Sequence, residues 1–160
     1  MRLSLRYSGV MTTILLTGSS RGIGAAAKAS LEARGAKVIG QATSSKAVDT
    51  VPADFCEPGA PHELWEAALA RTGGEIDVLI NNAGLFDPNP LDRSDIEWLD
   101  AWEDTMRINL TASAQLSRFA VRHWQERGFP GRIVHVASRA GHRGDSPAHW
   151  HYAASKGGML

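Results

Sequence analysis

Ile14-Leu15-Leu16-Thr17-Gly18-Ser19-Ser20-Arg21-Gly22-Ile23-Gly24 decides how the chain folds. A short apolar run stops at a glycine, and an alanine-rich stretch from Ile23 to Arg34, closed by Gly35, takes over with helical character. That order is strand, tight turn, helix. Glycines at 18, 22 and 24 let a ligand come close to the backbone where the first helix opens, and a helix N-terminus offers free N–H groups and a favourable dipole to an anion. The G-x-x-x-G-x-G spacing differs from the commoner G-x-G-x-x-G fingerprint. Alone, the turn therefore reads either as a cradle for a dinucleotide pyrophosphate or as an ordinary glycine turn.

Working outward, Lys37 to Gly40 is expected to form a second strand and Thr50 to Ala53 a weak third. Pro61 to Arg71 follows as a helix with proline at its start. Ile76 to Ile80 is a fourth strand running into Asn81-Asn82-Ala83-Gly84, and a loop holds Pro88 and Pro90. Helical stretches run from about Asp95 to Arg127, closed by Gly128; Arg132 to Ala137 is a fifth strand, Ser138 to Ala148 a polar loop, and a last helix begins near His149. Strands alternating with helices predict an α/β, Rossmann-like, doubly wound parallel sheet of about five strands, with ligands at the carboxyl ends of the strands. Residues 1–10 read as an N-terminal extension, with Met11 an alternative start, and 11–160 as one domain.

With 160 residues the chain fits a single domain, and 43% apolar against 21% charged residues places it among ordinary globular proteins. Seventeen basic and seventeen acidic residues cancel and are interspersed, which argues against nucleic acid or an anionic membrane as partner. No apolar run approaches the ~18 residues that span a bilayer. The single Cys56 excludes an internal disulfide and points to a reducing, cytoplasmic setting. His135, His142, His149 and His151 lack the carboxylate or cysteine set that would complete a metal site.

Tyr152-Ala153-Ala154-Ser155-Lys156 carries the chemistry. Residues four apart on a helix share a face, so the ammonium can lie beside the phenol. A cation there favours phenolate and makes the hydroxyl a usable proton donor to a carbonyl, or acceptor from an alcohol.

Together, Thr17 to Gly24, Asp54, Asn81 to Gly84, Asn109 in Met106-Arg107-Ile108-Asn109-Leu110, Ser138 after Ile133-Val134-His135-Val136-Ala137, and Tyr152-x-x-x-Lys156 resemble the short-chain dehydrogenase/reductase family in order and spacing, over essentially all of residues 11–160. The resemblance implies an NAD(P)-binding domain and an oxidoreductase that interconverts a carbonyl and an alcohol by hydride transfer. Tyr152 would be the general acid/base, and Lys156 would bind the nicotinamide ribose while lowering the Tyr152 pKa. Ser138 would steady the developing oxyanion, and Asn109 would hold a water linking Lys156 to solvent. Gly18, Ser20, Arg21, Gly22, Ile23 and Gly24 would bind the cofactor, the glycines letting the backbone approach the pyrophosphate. Asn82, Ala83 and Gly84 would line the adenosine side, with Asn82 tying neighbouring strands. Asp54 would accept from the adenine amino group, its alternative being an exposed loop carboxylate.

An acid at the end of the second strand would chelate the ribose hydroxyls of NAD, and Val38-Ile39-Gly40-Gln41-Ala42-Thr43 contains none. Arg21, with donors at Thr43, Ser44, Ser45 and Lys46, suits a 2′-phosphate instead, so NADP is expected over NAD. Trp150 is expected either to wall the substrate pocket or to pack, and Trp65, Trp98, Trp102 and Trp124 to pack. In the resembled family two more strands and a substrate lid follow the Tyr-x-x-x-Lys motif, so the chain is expected to be C-terminally truncated, loosely held at Tyr152 and Lys156, and homo-oligomeric in its full-length form. Two functions stay open: a carbonyl/alcohol oxidoreductase, or an inactive nucleotide-binding fragment of one.

Overall fold

A computed structural model describes residues 11–44 and 47–160. The expected extension at residues 1–10 and the donors Ser45 and Lys46 lie outside the described residues. Five strands, β1 (Thr13–Leu16), β2 (Lys37–Ala42), β3 (Thr50–Pro52), β4 (Val78–Asn81) and β5 (Arg132–His135), form one sheet in the order β3-β2-β1-β4-β5. Every neighbouring pair is parallel. After β3 the chain crosses back over β1 to lay down β4, so the strand order reverses between β1 and β4. A cleft opens at the carboxyl ends of the strands on either side of such a switch point.

The helices are α1 (Gly22–Glu32), α2 (Ala60–Thr72), α3 (Asp95–Met106), α4 (Ala112–Arg127), α5 (Ala140–Arg143) and α6 (Trp150–Met159). Side chains alternate across a strand, and β1 shows the result. Leu15 packs with Ile39, Val51 and Leu79 against Leu64 and Trp65 of α2 and Leu116 and Trp124 of α4. Ile14 and Leu16 pack with Val38 on the other face against Ala27 and Leu31 of α1. A strand covered on both faces tolerates a continuous apolar run. Trp124 buries its ring and donates its indole N–H to Ile76 C=O at 2.7 Å.

Local sequence sets the helix ends. Pro61 occupies the first turn of α2, Gly73 closes that helix at φ +66°, and Gly128 closes α4 at φ +65°. At the head of α3 the Ser94 hydroxyl accepts from Glu97 N–H while the Glu97 carboxylate accepts from Ser94 N–H, a reciprocal capping box.

The structure departs from expectation or adds to it in three places. Within the helical stretches from 95 to 127, Arg107–Thr111 is a π-helical turn between α3 and α4, centred on Asn109. β5 ends at His135, short of the expected Ala137; beyond it Val136 N–H still donates to Asn81 C=O at 2.9 Å, and Val136 C=O accepts from the Lys156 ammonium at 2.9 Å. The polar loop after β5 contains a helical turn, α5, whose Ala140 N–H donates to the Ser138 hydroxyl at 3.2 Å.

Candidate active site and cofactor cleft

The glycine turn is packed too closely for side chains. A Cβ on Gly24 would lie 2.0 Å from Gly18 O and 2.6 Å from Asn82 Nδ2, and Gly18 itself takes φ +64°. From the end of β4, Asn82 Nδ2 donates to Thr17 C=O at 2.9 Å and Gly18 C=O at 3.0 Å. The Thr17 hydroxyl accepts in turn from Asn82 N–H and Ala83 N–H, each at 2.9 Å. These bonds tie the ends of β1 and β4 across the switch point. The first backbone N–H bonded within α1 is that of Ala25, to Arg21 C=O at 3.2 Å; those of Gly22, Ile23 and Gly24 have no partner among the described residues. Three unsatisfied donors at a helix N-terminus form an anion site.

A cavity of about 470 Å³ lies over this turn. Gly18, Ser20, Arg21, Ile23 and Gly24 line it, and Gly22 does not. Asn82, Ala83 and Gly84 line it from the end of β4, and Asp54 from the end of β3. Asp54 is exposed and spends one carboxylate oxygen on Cys56 N–H at 3.0 Å. Arg21 is exposed and makes no ion pair among the described residues, and Thr43 and Ser44 complete the acid-free rim beyond β2. The glycine cradle, the free N–H groups and the unpaired guanidinium fit a dinucleotide phosphate.

Asn109, Ser138, Tyr152 and Lys156 do not line this cavity; α6, which carries Tyr152 and Lys156 one turn apart, adjoins it beyond Gly84. Lys156 is 4% exposed, and burial pushes its ammonium pKa down from the ordinary lysine range. Its Nζ donates to Val136 C=O and lies 5.8 Å from the Tyr152 ring centroid. The Tyr152 hydroxyl makes no hydrogen bond among the described residues, and none joins it to Ser138. Phe86 meets the Tyr152 ring edge-on at 4.7 Å and stacks on His149 at 4.0 Å. Trp150 is 51% exposed.

Asn109 is wholly buried, and its side chain is a staple. Its Oδ1 accepts from Leu85 N–H at 2.7 Å, while Nδ2 donates to Leu85 C=O and to the Ser155 hydroxyl, each at 3.0 Å. Ser155 passes the connection on to Tyr152 C=O at 2.8 Å. The loop after β4 and the helix bearing Tyr152 are thus fastened to the π-helical turn.

Sequence reading missed Ser155 and Gln41. Ser155 lies on the buried side of α6, inside the Tyr-x-x-x-Lys spacing; Gln41 is a polar residue ending an apolar strand, at a place searched only for an acid. Among the described residues no group of three His, Cys, Asp or Glu could hold a metal, and no helix is long and apolar enough to cross a membrane.

Residues 12–160 match the short chain dehydrogenase family. The 3-oxoacyl-(acyl-carrier-protein) reductase of Haemophilus influenzae is 36% identical over 156 residues, covering 91% of this chain and 62% of the relative. The chain thus spans about three fifths of the length of such relatives. A solved structure of 4-hydroxyisoleucine dehydrogenase complexed with NADH superposes with a TM-score of 0.81 at 28% identity, over 92% of this chain and 64% of that one. A blue fluorescent protein from a metagenomic library, in complex with NADPH, superposes with a TM-score of 0.76 at 30% identity, over 92% and 64%. A glycine cradle at the switch point, a Tyr and a Lys one turn apart on α6, and a match over nearly the whole chain agree: the protein belongs to the short-chain dehydrogenase family.

Proposed function

We propose that the chain is the cofactor-binding and catalytic part of an NADP-dependent oxidoreductase that interconverts a small carbonyl compound and its alcohol. One observation carries this reading. Gly84 lines the cleft, and a Cβ placed on it would lie 3.7 Å from Lys156 Nζ and 3.5 Å from Asn109 Oδ1, so cradle and catalytic helix meet at one glycine. The bound nicotinamide supplies or accepts the hydride. The Tyr152 hydroxyl gives a proton to the carbonyl oxygen in reduction and takes it back in oxidation. Ser138 donates a hydrogen bond to the same oxygen, where negative charge develops. Lys156 holds its ammonium one turn from the phenol, and Asn109 acts through Ser155 by fixing the helix on which both stand. Arg21, with Thr43 and Ser44, takes the 2′-phosphate of NADP.

The test is loss of NADPH absorbance when the chain is given a panel of ketones and aldehydes, with NADH in parallel. Turnover with NADPH ahead of NADH supports the reading. Tight NADPH binding without turnover of any carbonyl supports the second reading, a nucleotide-binding fragment; no binding of either cofactor contradicts both.

A further inference from the structure

Gln41, at the end of β2, is 3% exposed and lines the cleft. Its side-chain oxygen accepts from Gly18 N–H at 2.8 Å, and its side-chain nitrogen donates to Ala53 C=O at 2.6 Å. Its backbone carbonyl accepts from both Ser19 N–H at 2.8 Å and the Ser19 hydroxyl at 3.1 Å. One residue therefore joins the glycine turn to the ends of β2 and β3. On the opposite side Asn82 Nδ2 holds Gly18 C=O. Both peptide groups of Gly18 are gripped by amides from the strands flanking β1.

We propose that Gln41 is a positioning residue for the cofactor: with Asn82 it clamps Gly18 so that the unpartnered N–H groups of Gly22, Ile23 and Gly24 are set toward the pyrophosphate before it arrives. This rests on reading the cleft as a dinucleotide site. A glycine turn has more backbone freedom than any other, and a turn that must be ordered on binding weakens affinity by the cost of ordering it. The clamp needs an amide. Gly18 N–H requires an acceptor and Ala53 C=O a donor; leucine supplies neither, a carboxylate supplies only acceptors, and a neutral carboxylic acid supplies one of each. Because the pyrophosphate is common to NADP and NAD, Gln41 acts on both alike, whereas Arg21 would act on NADP alone.

Fluorescence titration of the whole chain with NADPH and NADH, reading Kd and stoichiometry, tests this beside thermal unfolding without cofactor. Gln41→Leu is expected to raise both Kd values by about tenfold, leaving their ratio and the number of sites per folded molecule as in the parent. Gln41→Glu should bind NADH nearly as the parent does at acid pH, where the carboxyl is neutral, and lose affinity as pH rises, while the parent stays level. Gln41→Leu with parental Kd values, or with fewer sites at unchanged Kd, overturns the proposal, as does a Gln41→Glu affinity that ignores pH. A parent chain that binds neither cofactor overturns the dinucleotide reading and this inference with it.

Discussion

The glycine turn lines the cleft and α6 adjoins it beyond Gly84, and the two are held in different ways. At the turn, Gly18 has its N–H on Gln41 and its C=O on Asn82, and the Thr17 hydroxyl takes two further N–H groups. On α6 the backbone is fastened, through Asn109 and Ser155, yet the Tyr152 hydroxyl makes no protein hydrogen bond among the described residues. The difference follows from the work each would do. A surface that receives the same pyrophosphate every time gains from being fixed in advance, because ordering it during binding costs affinity. A group that must pass a proton to a changing substrate needs a fixed mount and an open tip.

Breaking the fixed side should have the largest effect. Gly24→Ala places a methyl 2.0 Å from Gly18 O, so the turn must move. We expect a stability loss of about 3 kcal/mol and no measurable NADPH binding, read by thermal unfolding and cofactor titration. Loosening the mount comes next. Asn109→Ala leaves Leu85 N–H and C=O without their partner and cuts α6 from the π-helical turn. A loss of about 2 kcal/mol is expected, with turnover falling more than NADPH affinity. An Asn109→Ala protein with parental turnover would show that α6 is held by other means.

Arg21→Ala sharpens the comparison within the cofactor side. It should weaken NADPH by about tenfold and leave NADH unchanged, since only the former carries a 2′-phosphate. Equal losses for both would place Arg21 on the shared pyrophosphate instead.

The smallest effect concerns His151, the residue before Tyr152. It is 2% exposed, its Nε2 lies 3.0 Å from Asp87 C=O, and its Nδ1 is buried with no partner among the described residues. Burial holds its pKa below the ordinary 6.5, with the nearby charges of His149 and Arg93 acting the same way and Asp87 opposing. The unfolded chain therefore binds this proton more readily than the folded one, and stability should fall as pH drops through 6.5. His135, lowered by burial and then by Lys156, adds a component of the same sign. Thermal unfolding across that range should show the decline, and His151→Gln should flatten part of it. An identical decline in His151→Gln would assign the whole effect elsewhere.

Much of this was legible in the sequence, for physical reasons that particular residues show. Ile14-Leu15-Leu16 before a glycine turn identifies a strand buried on both faces, and Gly128 and Pro61 mark helix ends by what their backbones allow or forbid. The order of the motifs gave the places of Asn82, Asn109, Tyr152 and Lys156. What stayed hidden depends on contacts far apart in the chain. The π-helical turn at Asn109 leaves no mark on local periodicity, because it is held by Leu85, 24 residues earlier, and Ser155, 46 later. Gln41 looked like the absence of an acid, since nothing local reveals that Gly18 and Ala53 converge on its amide. The bond from the Lys156 ammonium to Val136 C=O, just past β5, likewise joins residues 20 apart in the chain.

The most direct test of the account compares Tyr152→Phe with the parent by two readings on the same samples, NADPH affinity and NADPH-dependent carbonyl turnover. The substitution keeps the ring that packs edge-on against Phe86 and removes only the hydroxyl. The account predicts turnover lower by roughly 10²- to 10⁴-fold with NADPH affinity unchanged. Near-parental turnover in Tyr152→Phe would contradict it, because the proton would then have to come from another group.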